Sequence, residues 1–200
     1  MDLNTIFSVI GFIFSIISLP SAIYFIVKKV IDRKHISWKK VEKGIKYLVE
    51  LIEKEKPDII ITFSGKGAVV ANLVLSELKN EYMLYTCFLR NSSYKERFVI
   101  PKNCKSLDTP KWTVYIPNDI FDFVDKDIWI IDDITRTGVT IKKVAKYLED
   151  KGIPAHNIHS MSLIADIQVY KSLEIPQHYW KKVNTDEYSL PWNKAHHPKK

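Results

Sequence analysis

Strands alternating with helices predict an α/β domain with a mostly parallel sheet flanked by helices. Two observations carry this. Apolar runs recur along the chain at "DIIITF" (58–63), "YMLYTCFL" (82–89), "WTVYIP" (112–117), "DIWIID" (127–132) and "IHSMSLIAD" (158–166). Amphipathic segments separate several of them, and two runs end in glycine-containing polar turns, "SGKG" and "DDITRTG". In sheets of this kind ligands sit at the carboxyl ends of the strands, where both turns fall.

The elements follow in order. Leu3 to Val27 holds no charged residue, and Lys28, Lys29, Arg33, Lys34, Lys39 and Lys40 follow it. As a helix this run would extend ~37 Å, more than the ~30 Å hydrocarbon core of a bilayer. A cleaved signal peptide would want a positive start and a shorter apolar stretch; a buried core helix would show a polar face. The expectation is one transmembrane helix, with the N-terminus outside and the rest in the cytoplasm. Ser37 reads as a helix N-cap. Trp38, Val41, Ile45, Leu48, Val49 and Ile52 then recur at helical spacing until Pro57. A strand at 58–63, the turn Ser64-Gly65-Lys66-Gly67 and a helix over roughly 69–79 come next. After the strand at 82–89, residues 90–111 are polar and basic, a loop of the length that often covers a site. Ile141, Val144, Ala145 and Leu148 mark one face of a further helix ending near Gly152. The expected organisation is a membrane helix and basic flank over 1–30, a juxtamembrane helix over 31–56 and an α/β domain over 57–200.

Composition bounds the function. Hydrophobic content of 46% is ordinary for a globular protein. The net charge of +7 suits nucleic acid, an anionic membrane surface or a phosphorylated small molecule. The basic flank accounts for part of it, so a nucleic-acid partner is not expected. Cys87 and Cys104 are the only cysteines and lack metal-ligand spacing.

The stretch "DIWIIDDITRTGVT" (127–140) raises the sharpest question: why should a buried run end in two adjacent carboxylates, followed by threonines and an arginine? Free N–H groups at a helix start, with the hydroxyls of Thr135, Thr137 and Thr140, make a cradle for a phosphate. Gly138 permits close backbone approach. Asp132 and Asp133 cannot bind that phosphate; they suit a diol or a hydrated Mg²⁺ beside it. The site therefore wants a phosphate with a ribose diol next to it.

"IWIIDDITRTGVT" resembles the phosphoribosyl pyrophosphate (PRPP) motif of type I phosphoribosyltransferases. "PDIIITFSGKGAVVANLVLSEL" resembles that family's first strand, pyrophosphate loop and helix, and "LRNSSYKERF" falls where the family has its mobile catalytic loop, giving Ser93, Tyr94 and Lys95. "DEYSLPWNK" resembles a segment of the xanthine-guanine branch in which an aromatic ring stacks on the base. The resemblance implies a parallel sheet with a small hood, and a base nitrogen attacking C1 of PRPP as pyrophosphate leaves. It implies that Asp132 and Asp133 hold the ribose hydroxyls and, indirectly, Mg²⁺. Ile134, Thr135, Arg136, Thr137, Gly138, Val139 and Thr140 would bind PRPP, Thr135 to Thr140 anchoring its 5′-phosphate, with Arg136 counted beside Asp132 and Asp133 as catalytic; Ser64, Gly65, Lys66 and Gly67 would bind the pyrophosphate. Lys66 is either a direct phosphate ligand or a solvated lysine.

Two positions depart from the 6-oxopurine pattern. Arg136 stands where that branch commonly has a catalytic Asp, and Asp166 stands near a Lys that donates to the purine. A carboxylate only accepts hydrogen bonds, so Asp166 on the base edge would favour an amino group or ring N–H, unless Arg136 pairs with it. Tyr188 and Trp192 are candidates for the base-stacking wall, or else pack the last segment on the core. The expected function is a membrane-anchored phosphoribosyltransferase acting on a nucleobase, as a homo-oligomer; the alternative is a non-catalytic module sensing PRPP or a nucleotide at the membrane.

Overall fold

The computed structural model describes residues 34–91, 102–167 and 176–193. The run at 3–27 and the residues Ser93, Tyr94 and Lys95 lie outside them. Among the described residues no helix is long and apolar enough to cross a membrane.

The strands are β1 (Lys34–His35), β2 (Ile59–Phe63), β3 (Met83–Asn91), β4 (Cys104–Asp108), β5 (Trp112–Pro117), β6 (Ile128–Thr135), β7 (Ile158–Asp166), β8 (His178–Val183) and β9 (Tyr188–Ser189). The helices are α1 (Trp38–Glu55), α2 (Lys66–Glu77) and α3 (Val139–Asp150). One sheet runs in the order β4-β5-β3-β2-β6-β7-β8, and β1 pairs with β9 in a separate parallel ladder. The stretch from β3 through β8 is parallel, while β5 pairs antiparallel with both β3 and β4.

The central strands are covered on both faces, which is why they read as continuous apolar runs. All five residues of β2 are buried, as are Ile128 to Ile131 of β6. Alternate residues feed two cores. Ile60, Trp129, Ile131 and Met161 pack with α1 and α2; Ile59, Ile61, Phe63, Ile128 and Ile130 pack with Ile141, Val144 and Leu148 of α3.

The helix that the sequence set apart at 31–56 packs into this core. Val41, Ile45, Leu48, Val49 and Ile52 are buried on it, and α1 lies on α2, β7 and β8. A Cβ on Gly44 would stand 2.5 Å from Leu163 Cδ1 and 2.8 Å from the Trp180 ring, so the helix approaches the sheet closely there. Trp38 departs from the expected apolar face: it is 53% exposed. The helix stops at Lys56, which adopts the left-handed conformation (φ 52°) and donates its N–H to Ile52 O, just before Pro57.

Three boundaries differ from expectation. The polar stretch at 90–111 is not wholly a loop: it holds the end of β3 and all of β4. β4 is an edge strand with Lys105, Ser106 and Asp108 exposed, so no apolar run announces it. α2 begins at Lys66, three residues before the predicted start. β6 continues through Thr135, so the aspartate pair lies within the strand.

Truncating Leu48, fully buried under α1, tests whether this helix is part of the domain. Leu48→Ala is expected to lower unfolding free energy by about 2–5 kcal/mol. Equilibrium urea unfolding should show a lower midpoint with an unchanged slope; an unaltered midpoint would detach the helix from the core.

Candidate functional site

A cleft of about 970 Å³ opens at the carboxyl ends of β2 and β6. Residues 132–141 line it continuously, and so do Ser64, Gly65, Lys66 and Gly67. The structure thus brings the two turns singled out by sequence into one cavity.

The carboxylates come from β6, held between β2 and β7. Asp132 lies opposite Ser162 of β7. Its Oδ1 accepts the Asp133 N–H at 2.9 Å. Asp133 is buried, and its Oδ2 accepts the Trp192 Nε1–H at 3.2 Å. Burial, and then the charge of Asp133, hold the Asp132 carboxyl well above the usual carboxylate range. Gly67 eases a close approach here: a Cβ would stand 3.0 Å from Asp132 Oδ1 and 3.3 Å from Thr62 Oγ1, so a side chain would have to shift. The first turn of α2 can therefore lie against the carboxylate, with its positive dipole end toward it.

The second turn links β6 to α3. Gly138 takes the left-handed conformation (φ 69°), and its carbonyl accepts the Lys142 N–H at 2.9 Å. Thr135 is 2% exposed, and its hydroxyl has no partner although it lines the cleft. Such an orphan beside free N–H groups suits a phosphate oxygen. Gly65 (φ 87°) turns the chain into α2. Ser64 ties this loop to β3: its hydroxyl accepts the Leu89 N–H at 2.8 Å.

Other expected residues are placed differently. Asp166 is buried, does not line the cleft, and its Oδ2 accepts the Thr185 N–H at 3.0 Å and the Thr185 hydroxyl. It closes the turn after β8, which corrects its expected place on the base edge. Arg136 lines the cleft and lies 3.8 Å from Asp186 Oδ1, with both side chains over half exposed. Tyr188 stands outside the cleft lining, with Lys34 Nζ and Lys181 Nζ at 5.8 and 5.7 Å from its ring centre. Trp192 packs against Trp38, ring centres 5.7 Å apart, while its N–H is engaged by Asp133.

The cleft also uses residues the sequence did not single out. Thr109, Pro110, Lys111 and Trp112, the turn between β4 and β5, form one wall, and Asn193 another part. Lys143 Nζ of α3 donates to Asp108 O at 2.9 Å and fixes the first of these walls. Pro110-Lys111 at the end of the polar stretch was the available turn signal; Asn193 had none.

Among the described residues no three His, Cys, Asp or Glu gather as a metal cage. Two adjacent carboxylates are hard oxygen donors, and they fit Mg²⁺ that takes its remaining ligands from substrate and water.

A mostly parallel sheet whose central strand carries a carboxylate pair just before a threonine-lined turn defines an α/β domain with a candidate anion site at its carboxyl edge. Residues 31–198 match the phosphoribosyl transferase domain family, and the chain belongs to it. It is similar in structure to a purine phosphoribosyltransferase from Pyrococcus horikoshii (TM-score 0.59, 21% identity, 80% of this chain and 93% of that one). It also resembles the Helicobacter pylori xanthine-guanine-hypoxanthine phosphoribosyltransferase (TM-score 0.52, 16% identity, 79% and 92%). A curated relative, the transcriptional regulator GfcR of Methanococcus maripaludis, is 25% identical over 122 residues, 61% of this chain and 52% of that protein. The chain thus spans about half the length of the curated relatives it matches.

The raised Asp132 carboxyl makes a testable statement. The folded state holds this proton more tightly than the unfolded chain, so its stabilising effect is present at low pH. It is lost as pH rises from the ordinary carboxylate range through the raised value. Asp132→Asn removes that titration. Thermal melts without ligand should show the variant melting above the parent at neutral pH, with the gap closing below the ordinary range; parallel curves would refute the burial of this charge.

Proposed function

We propose that this chain transfers the ribose 5-phosphate of PRPP to a nucleobase with release of pyrophosphate. The observation that carries the reading is the joint placement, in one cleft, of the Asp132–Asp133 pair and the partnerless Thr135 hydroxyl of the cradle. The cradle takes the 5′-phosphate, a remote handle whose binding energy positions the sugar. The carboxylates take the ribose hydroxyls and offset positive charge that develops at C1. A base nitrogen forms the new bond to C1 and gives up its proton to water, and the C1–O bond to pyrophosphate breaks with its electron pair. Gly65 to Gly67 and the side chains of Lys66 and Lys111 face that leaving group. Asp132 and Asp133 would hold Mg²⁺ through substrate and water, where it supplies charge screening for the pyrophosphate.

A second reading, a module that binds PRPP or a nucleotide without turning it over, is supported by three facts. Arg136 and Asp166 are engaged with the turn after β8, and the archaeal relatives are named as regulators. Calorimetry with PRPP and Mg²⁺, together with pyrophosphate release over a panel of bases, separates the readings. Asp132→Asn with Asp133→Asn is expected to weaken PRPP binding by about 2–3 kcal/mol in a folded protein. Unchanged affinity would sink both readings; binding with no base consumed would select the second.

We also propose that residues 3–27 anchor the domain to the membrane with the cleft on the cytoplasmic side. The support is the uncharged run and the lysines and arginine that follow it. Protease added to intact cells is expected to leave the domain whole. Digestion from outside, or a mature form lacking these residues, would refute the topology.

A further inference from the structure

Among the described residues, the Trp192 indole N–H is the one donor from outside the carboxylate pair that reaches the Asp133 carboxylate, at 3.2 Å on Oδ2. Asp133 is buried and lines the cleft, whereas Trp192 stands outside that lining. Any effect of the indole on a ligand in the cleft therefore passes through Asp133.

The indole is itself held in place. Leu190, two residues earlier, is fully buried in the core. The Asn193 N–H donates to Leu190 O at 2.9 Å and closes the turn. The Trp192 ring packs against Trp38 at the start of α1, ring centres 5.7 Å apart and planes tilted by 54°. Just upstream, β9 is tied to β1 by the Lys34–Tyr188 and His35–Ser189 partners, and the Ser189 hydroxyl lies 2.8 Å from His35 Nδ1. A donor mounted in this way need not be ordered when a ligand arrives.

A carboxylate turns about a terminal sp³–sp² bond, whose torsion is broad. One fixed N–H on Oδ2 narrows that range. An ionised carboxylate offers about four acceptor sites, so the indole leaves the others to ribose hydroxyls or to the water of a hydrated cation. Indole only donates, so the contact suits Asp133 as an acceptor, the role that a diol requires of it.

We propose that Trp192 is a positioning residue: its indole N–H aims the Asp133 carboxylate at the ribose diol of PRPP, so that the turn after β9 completes the sugar site. The proposal rests on the PRPP reading above, in either its catalytic or its binding-only form. It gives Trp192 a role in place of the base stacking expected of it.

The test is a double-mutant cycle on the full chain, read by calorimetry as affinity for PRPP with Mg²⁺. Trp192→Phe keeps an aromatic ring and deletes the donor. It should weaken PRPP binding about tenfold in the parent and less than about twofold in an Asp133→Ala background, where no carboxylate is left to aim. Replacing Trp192 by benzothienylalanine, an isostere with sulfur in place of the N–H, should reproduce the loss with the packing kept. The isostere decides alone if the phenylalanine variant shows a disturbed fold by circular dichroism, or if the Asp133→Ala background binds too weakly to measure. A loss of equal size in both backgrounds would overturn the proposal and leave Trp192 a packing residue. Unchanged affinity would overturn it too, and so would tighter binding, which would make the indole a competitor of the ligand for Asp133. If Asp133→Ala weakens PRPP binding and neither replacement of Trp192 does, this inference fails alone; a parent that binds no PRPP takes the functional reading with it.

Discussion

Placing two carboxylates side by side within a central strand sets the terms for everything around them. Each loses hydration, and each repels the other's charge. The fold answers with specific donors: the Asp133 N–H for Asp132, and the Trp192 indole for Asp133. It also brings the N-terminal turn of α2 against Asp132, an approach that the missing Cβ of Gly67 eases. The start of α3 follows the pair within the same cleft. Two helix N-termini thus converge there, and their partial positive ends favour phosphate groups.

This requirement explains why the strand order around β6 is strict. Thr62 of β2 donates its buried hydroxyl to Ile131 O, one residue before the pair. β7 continues alongside through the Ile134–Ile164 and Thr135–Ala165 partners, so the strand stays rigid past the carboxylates. The cradle therefore begins from a fixed point. Flexibility at Asp132 or Asp133 would separate the diol-binding groups from the phosphate-binding turn by more than a productive pose tolerates.

How much of this the sequence disclosed depended on burial. Strands β2, β6 and β7 are covered on both faces, and their apolar runs located them with small boundary errors. The extension of β6 to Thr135 escaped because its last residues are polar for the sake of the site. β4 and β8 escaped for another reason. "CKSLD" and "HYWKKV" lie at the two edges of the sheet; Lys105, Ser106 and Asp108 of the first are exposed and the lysines of the second half-buried, so no apolar run forms. The paired turns at 64–67 and 132–140 were legible because a glycine after a strand and hydroxyls before a helix each have a direct backbone cause. Trp192 was expected on a base-stacking wall; it packs on Trp38 and donates to Asp133, outside the cleft lining.

Asp166 and Asn193 show where local reading ends. Asp166 sits at the carboxyl end of a central strand, the position from which ligand contacts usually come. Yet the chain leaves β8 and turns at Thr185, where a free N–H and a hydroxyl lie within reach of that carboxylate. A buried charge takes the nearest good donors, so the turn captured Asp166 and the cleft did not. The consequence reaches Asn193, 27 positions later in the chain. By holding the segment after β8, the Asp166–Thr185 pair helps fix the path into β9 and the turn that follows. That turn then delivers Trp192 to Asp133 and Asn193 to the cavity. A residue read as a ligand contact acts one step back, supporting the segment that makes the contact, and only the three-dimensional course of the chain separates the two roles.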